Sequence, residues 1–150
     1  MSMGYGANFA ETVSIENLAK VVGDKELVDS FVEKFDNYHF TKGEIEDYDG
    51  LAQTISGENP SPDIDPDRRC FKSLKAIWDK IAKQFKAETG IDLYIGYHDA
   101  GDEGDCYDEV DGLYFNVSHS ALYQPTEAYK AMMKKFGDGI VEREFFVSFG

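Results

Sequence analysis

Residues 65–90 read DPDRRCFKSLKAIWDKIAKQFKAETG, and residues 91–98 continue as IDLYIGYH. The apolar period changes between them. In the first stretch Phe71, Leu74, Trp78, Ile81 and Phe85 recur every three or four residues with Ile77 beside them, the stripe of a helix lying on a core. Asp65 has the chemistry of an N-cap, Pro66 suits the first helical position, and Gly90 suits the position just past the end. The spacing therefore predicts a helix over 66–89. In the second stretch Ile91, Leu93, Ile95 and Tyr97 alternate with Asp92, Tyr94, Gly96 and His98, the period of two that marks a half-buried strand.

The same two periods recur on either side. Leu113, Phe115 and Val117 alternate with Tyr114, Asn116 and Ser118, so a second strand is expected, pairing with the first as an antiparallel hairpin. Pro125 and Thr126 open a helix that Gly137 closes, and Val141, Arg143, Phe145, Val147 and Phe149 share one face of a last strand. Upstream, Ser14 is placed to cap a short helix ending at Gly23. Asp24 is placed to cap a second, with Leu27, Val28, Phe31, Val32 and Phe35 on one side. These two predict a helical hairpin. A short helix is expected within 44–55, followed by a loop over 57–66 that holds Pro60, Pro62 and Pro66.

Helices that segregate from alternating strands point to an α+β fold, with a small, mainly antiparallel sheet of three to four strands and helices packed on one face. At 150 residues, with no repeat and no long linker, the chain is expected to form a single domain over 1–150. A 14% aromatic content supplies the apolar surface that disordered chains lack. There is neither an apolar run long enough to span a bilayer nor a basic start followed by an apolar core, so the expected compartment is the cytoplasm, with no membrane partner. Cys70 and Cys106 show no metal or redox spacing and are expected to be reduced thiols.

Charge carries the functional reading. The net charge is -14, which disfavours direct contact with nucleic acid and favours a basic protein partner. It is also polarised along the chain. Seven basic residues against Asp79 and Glu88 give residues 68–88 a net +5, leaving -19 for the rest. Residues 44–67 contain eight acids and no Lys or Arg, among them Glu44, Asp47 and Asp49, with Tyr48 between. Residues 98–112, joining the two strands of that hairpin, contain Asp99, Asp102, Glu103, Asp105, Asp108, Glu109 and Asp111, again with no Lys or Arg.

Carboxylates crowded this closely raise one another's pKa and oppose compaction unless water or a cation meets them. Calcium is one such cation, and Asp99, Asp102, Asp105 and Asp108 recur at every third residue as candidate oxygen ligands. The spacing departs from an EF-hand: with Asp99 at the first position, Gly101 and Val110 stand where a carboxylate and a bidentate Glu belong. A zinc set of His98, His119 and Cys106 lacks the short ligand spacing of zinc modules, and straight strand alternation puts the two histidines on opposite faces. A carboxylate-dependent hydrolase is a further alternative, although nothing selects an acid and base pair from so many acids. GxSxG, HExxH and GxxxxGK[ST] are absent.

The leading expectation is a non-enzymatic binding protein of inhibitor or immunity type. Tyrosines interleaved with acids, at Tyr48, Tyr97, Tyr107 and Tyr114, suit a partner that presents Arg and Lys. The partner-binding set is Asp99, Asp102, Glu103, Asp105, Tyr107, Asp108, Glu109 and Asp111, together with Glu44, Asp47, Tyr48 and Asp49. Carboxylates held on a scaffold can stand in for phosphates, making such a surface a nucleic-acid mimic. The plainer alternative is that the acidic stretches fold back onto the basic helix.

Overall fold

The structure is a computed structural model that describes residues 5–39, 48–57, 60–62, 64–98, 112–120 and 125–149. In chain order its elements are β1 (Tyr5–Val13), α1 (Ile15–Val22), α2 (Lys25–Asp36), α3 (Tyr48–Ser56), α4 (Arg69–Thr89), β2 (Tyr94–His98), β3 (Gly112–Ser120), α5 (Glu127–Phe136) and β4 (Glu142–Phe149). The fold is α+β, with one antiparallel sheet in the order β2-β3-β1-β4. By packing, the chain divides into two compact units, Ile15–Ile95 and the combination of Met1–Ser14 with Gly96–Gly150.

The unit formed by residues 15–95 is helical, and its elements begin and end where local chemistry dictates. The Asp24 carboxylate accepts from Leu27 N at 3.0 Å, capping α2. Val28, Phe31 and Phe35 of α2 are buried with Leu74, Trp78, Ile81 and Phe85 of α4, Leu18 and Val22 of α1, and Leu51 and Ile55 of α3. The Phe31 and Trp78 rings meet at 5.2 Å and 45°. Each such side chain contributes about 1.5–3 kcal/mol of apolar burial, so these contacts hold the helices together. At the far end of α4, Gly90 takes φ +74° and its N–H returns to Lys86 O at 2.8 Å. That left-handed conformation strains any residue with a side chain.

The start of α4 differs from the expectation. Asp65 is not its cap: the carboxylate accepts from Asp67 N at 2.9 Å, while Asp65 O accepts from Arg68 N at 3.2 Å. Residues 65–68 thus form a turn with Pro66 at its second position, where the fixed φ of proline is favoured. The helix then begins at Arg69 without a side-chain cap.

The other unit holds the sheet. One of its two inner strands, β1, was not among the expected strands. Ala10, Glu11, Thr12 and Val13 are consecutive and all buried, so the strand shows none of the apolar and polar alternation by which half-buried strands are recognised. β1 pairs with β4 in unbroken antiparallel register from Tyr5↔Phe149 to Thr12↔Glu142. Its pairing with β3 shifts between Glu11↔Ser118 and Thr12↔Asn116, which leaves Val117 as an extra, bulged residue. Alternation counted straight through residues 113–119 therefore does not carry across Val117, and the register sets His119 opposite Ala10. The α5 helix begins as expected, with the Thr126 hydroxyl accepting from Tyr129 N.

Candidate interaction surface and the sites around it

The acid-rich segment is tied to the fold at both ends by neighbouring strands. β2 ends at His98, β3 begins at Gly112, and the two lie side by side at one edge of the sheet. Their pairing is shaped by one close approach: a Cβ on Gly96 would overlap the ring of Tyr114, so glycine leaves the space that the ring fills. Within the unit of residues 15–95, Ser56 Oγ accepts from Ile95 N at 2.9 Å and donates to Ala52 O at 3.2 Å. The seven carboxylates of this segment, Asp99, Asp102, Glu103, Asp105, Asp108, Glu109 and Asp111, lie outside the described residues, as do Tyr107, Glu44 and Asp47.

Tyr48 and Asp49 are described, and they differ in placement. The Tyr48 hydroxyl donates to Asp36 O at 3.3 Å and approaches Tyr38 O at 3.4 Å, and its ring lies 5.7 Å from that of Phe35. Tyr48 thereby joins α3 to the end of α2. Asp49 is exposed in the first turn of α3 and accepts from Gln53 Nε2 at 3.0 Å. Tyr97 and Tyr114, on the strands flanking the acidic segment, are half-buried.

The basic face of α4 is met by acids close in sequence. Lys75 pairs with Asp79 at 2.7 Å, Lys86 with Asp92 at 2.8 Å, and Lys72 approaches Asp67 at 3.9 Å. All three pairs are exposed, and such pairs contribute at most about 1 kcal/mol each. Near the start of the helix the Arg68 guanidinium lies over the Tyr38 ring, 5.4 Å from its centroid. Burial pushes the Tyr38 phenol above its ordinary range, the neighbouring Cys70 adds to the rise, and Arg68 opposes it. Cys70 itself is exposed.

The sheet contains a buried charge that sequence reading passed over. Glu11 has no exposure, and both its carboxylate oxygens are engaged: Oε2 accepts from Arg143 Nε at 3.1 Å and from Thr126 N at 3.1 Å, and Oε1 accepts from the Thr126 hydroxyl. The arrangement joins β1, β4 and the N-terminus of α5. Its signal in the sequence was an acid among Phe9, Ala10, Thr12 and Val13, where a buried charge requires an internal partner.

A groove of about 480 Å³ runs along α4, lined by Val22, Gly23, Asp24 and Leu27 on one side and Lys80, Lys83, Gln84 and Ala87 on the other. Among the described residues that line it, the carboxylate is Asp24, the cap of α2, and there is neither a pair of convergent carboxylates nor a His and carboxylate pair. Among the described residues no group of three or more His, Cys, Asp or Glu side chains is placed to hold a metal ion, and no helix is long and apolar enough to cross a membrane. No family model matches the chain, nor does any curated protein or solved structure.

Proposed function

We propose that this is an acidic, non-enzymatic binding protein of inhibitor or immunity type, acting in the cytoplasm. It presents the carboxylates between β2 and β3 to a basic surface of a protein partner. The observation that supports the reading most directly is the attachment of that segment: seven acids with no lysine or arginine join two adjacent strands of one sheet. A second support is the basic face of α4, whose ion pairs among the described residues are with Asp67, Asp79 and Asp92, each within six positions of its lysine.

The chemistry follows from charge. Anionic side chains spaced along a scaffold steer a cationic protein toward them and occupy the arginines and lysines it uses for phosphate. Such a surface acts as a nucleic-acid mimic, and Asp49, exposed on α3, is a second candidate contact. Association of this kind is fast and weakens with salt, because exposed charges are screened over about 8 Å at 0.15 M ionic strength.

The test is capture of basic proteins from a lysate of the native host, with the wild type compared with a variant carrying Asp102→Asn, Asp105→Asn, Asp108→Asn and Asp111→Asn. The variant is expected to keep its melting temperature and lose the capture, and wild-type capture is expected to collapse as salt rises. Capture that survives both treatments sinks the reading.

A further inference from the structure

The sheet order leaves β4 at an edge, with β1 on one side and, among the described residues, no strand on the other. Alternate residues of an antiparallel strand turn their N–H and C=O groups to opposite sides, so about half of the eight residues of β4 direct main-chain donors and acceptors outward. Natural chains protect such an edge by keeping it short, bulging it, placing Pro or charged side chains in it, or covering it with a helix or loop. β4 is eight residues long, its register with β1 is unbroken, and its sequence, EREFFVSF, holds no Pro and confines its charged residues to the first three positions, so its last five residues carry none of the sequence protections. The opposite edge differs. β2 has five residues, with Gly96 at its middle.

We propose that the outer edge of β4 pairs antiparallel with β4 of a second copy of this chain, joining two four-stranded sheets across a two-fold axis. The distribution of charge selects this occupant. Glu142, Arg143 and Glu144 lie together at the start of the strand, and the last five residues carry no charge. Antiparallel self-pairing sets the charged end of each strand beside the uncharged end of the other, so two chains of net charge -14 meet there without opposing like charges. Self-pairing is also isologous and closes at two copies. This contact is independent of the acidic segment and does not require it.

Light scattering across a dilution series tests the pairing: the mass is expected to be twice 16.9 kDa and to halve on dilution. Val147→Pro and Ser148→Pro provide the structural control. Adjacent residues turn their N–H groups to opposite sides, so one of the two substitutions removes an outward donor and the other a donor to β1. The first is expected to be a folded monomer by circular dichroism, the second to lose stability. A wild type of 16.9 kDa up to its solubility limit overturns the proposal, as does a dimer that persists in the folded proline variant. If both variants unfold, hydrogen exchange of the wild type decides: β4 amides that lose protection on dilution support the contact, and protection that is independent of concentration refutes it.

Discussion

Arg143 donates through Nε to Oε2 of Glu11 at 3.1 Å, and the carboxylate it serves is wholly buried in β1. Removing the cation while leaving the anion in place is the costly change, because the remaining charge is desolvated with fewer donors. Arg143→Met is expected to lower stability by about 3–5 kcal/mol. Glu11→Gln, which keeps a polar acceptor for Thr126, is expected to lower it by about 1–3 kcal/mol. Urea denaturation followed by circular dichroism measures both. A loss for Arg143→Met smaller than that for Glu11→Gln contradicts the account.

Two glycines separate backbone strain from steric overlap. Around Gly90 nothing lies within 4 Å of an added Cβ, so Gly90→Ala is penalised only by its φ of +74°, about 1–2 kcal/mol. At Gly96 the added atom meets the Tyr114 ring, and Gly96→Ala is expected to cost about 1–3 kcal/mol through overpacking. In a double-mutant cycle, Tyr114→Ala should relieve the Gly96→Ala defect and have no effect on Gly90→Ala. Equal behaviour of the two glycines toward Tyr114→Ala would show that the ring is not what excludes a side chain at 96.

Burial holds the phenol of Tyr38 protonated above its ordinary pKa of 10.0, with Cys70 adding to the rise and Arg68 opposing it. A raised pKa in the folded state means that the folded protein retains a proton the unfolded chain releases. The stabilisation is therefore complete below pH 10 and is lost as pH climbs through the folded value. Alkaline melting curves should show wild-type stability falling more steeply than that of Tyr38→Phe in this window. Parallel curves would mean that Tyr38 ionises in the folded protein as it does in the unfolded chain.

The ion pairs along α4 predict small effects. Lys75→Met and Lys86→Met each remove an exposed pair, and each is expected to change stability by less than about 1 kcal/mol. Phe31→Ala, which opens a void against the Trp78 ring, is expected to cost about 3–5 kcal/mol. Thermal melts of the three variants give the ranking directly, and a lysine variant as damaging as Phe31→Ala would reverse the relative weight of surface charge and core.

Legibility in the sequence followed burial on one side. The stripes of α2 and α4, the Asp24 cap, the opening of α5 at Pro125 and Thr126 and the Gly90 terminus were readable because each depends on neighbours a few positions away. β1 was not readable, since residues 10–13 are buried on both faces and Tyr5, Gly6, Ala7 and Asn8 show no alternation. Asp65 illustrates a nearer competition: the same carboxylate can cap a helix or close an Asx turn, and Pro66 at the second position of the turn decides for the latter. The bulge at Val117 was out of reach because it belongs to a pairing between distant segments. For the candidate surface, the sequence showed where charge accumulates. It could not show that Tyr48 is turned toward the end of α2, which depends on the meeting of two helices.

The placement of β1 between β3 and β4 has a consequence for the order of folding. Glu11 and Arg143 are 132 positions apart, so closing the middle of the sheet gathers two remote parts of the chain before any ladder bond rewards the lost freedom. The contacts among α1, α2 and α4 span far shorter separations and carry a smaller closure cost. Once residues 15–95 condense, the length of free chain between β1 and β2 shortens as well. Assembly of the strands is thus expected to be the slow kinetic phase, with the helices forming ahead of it.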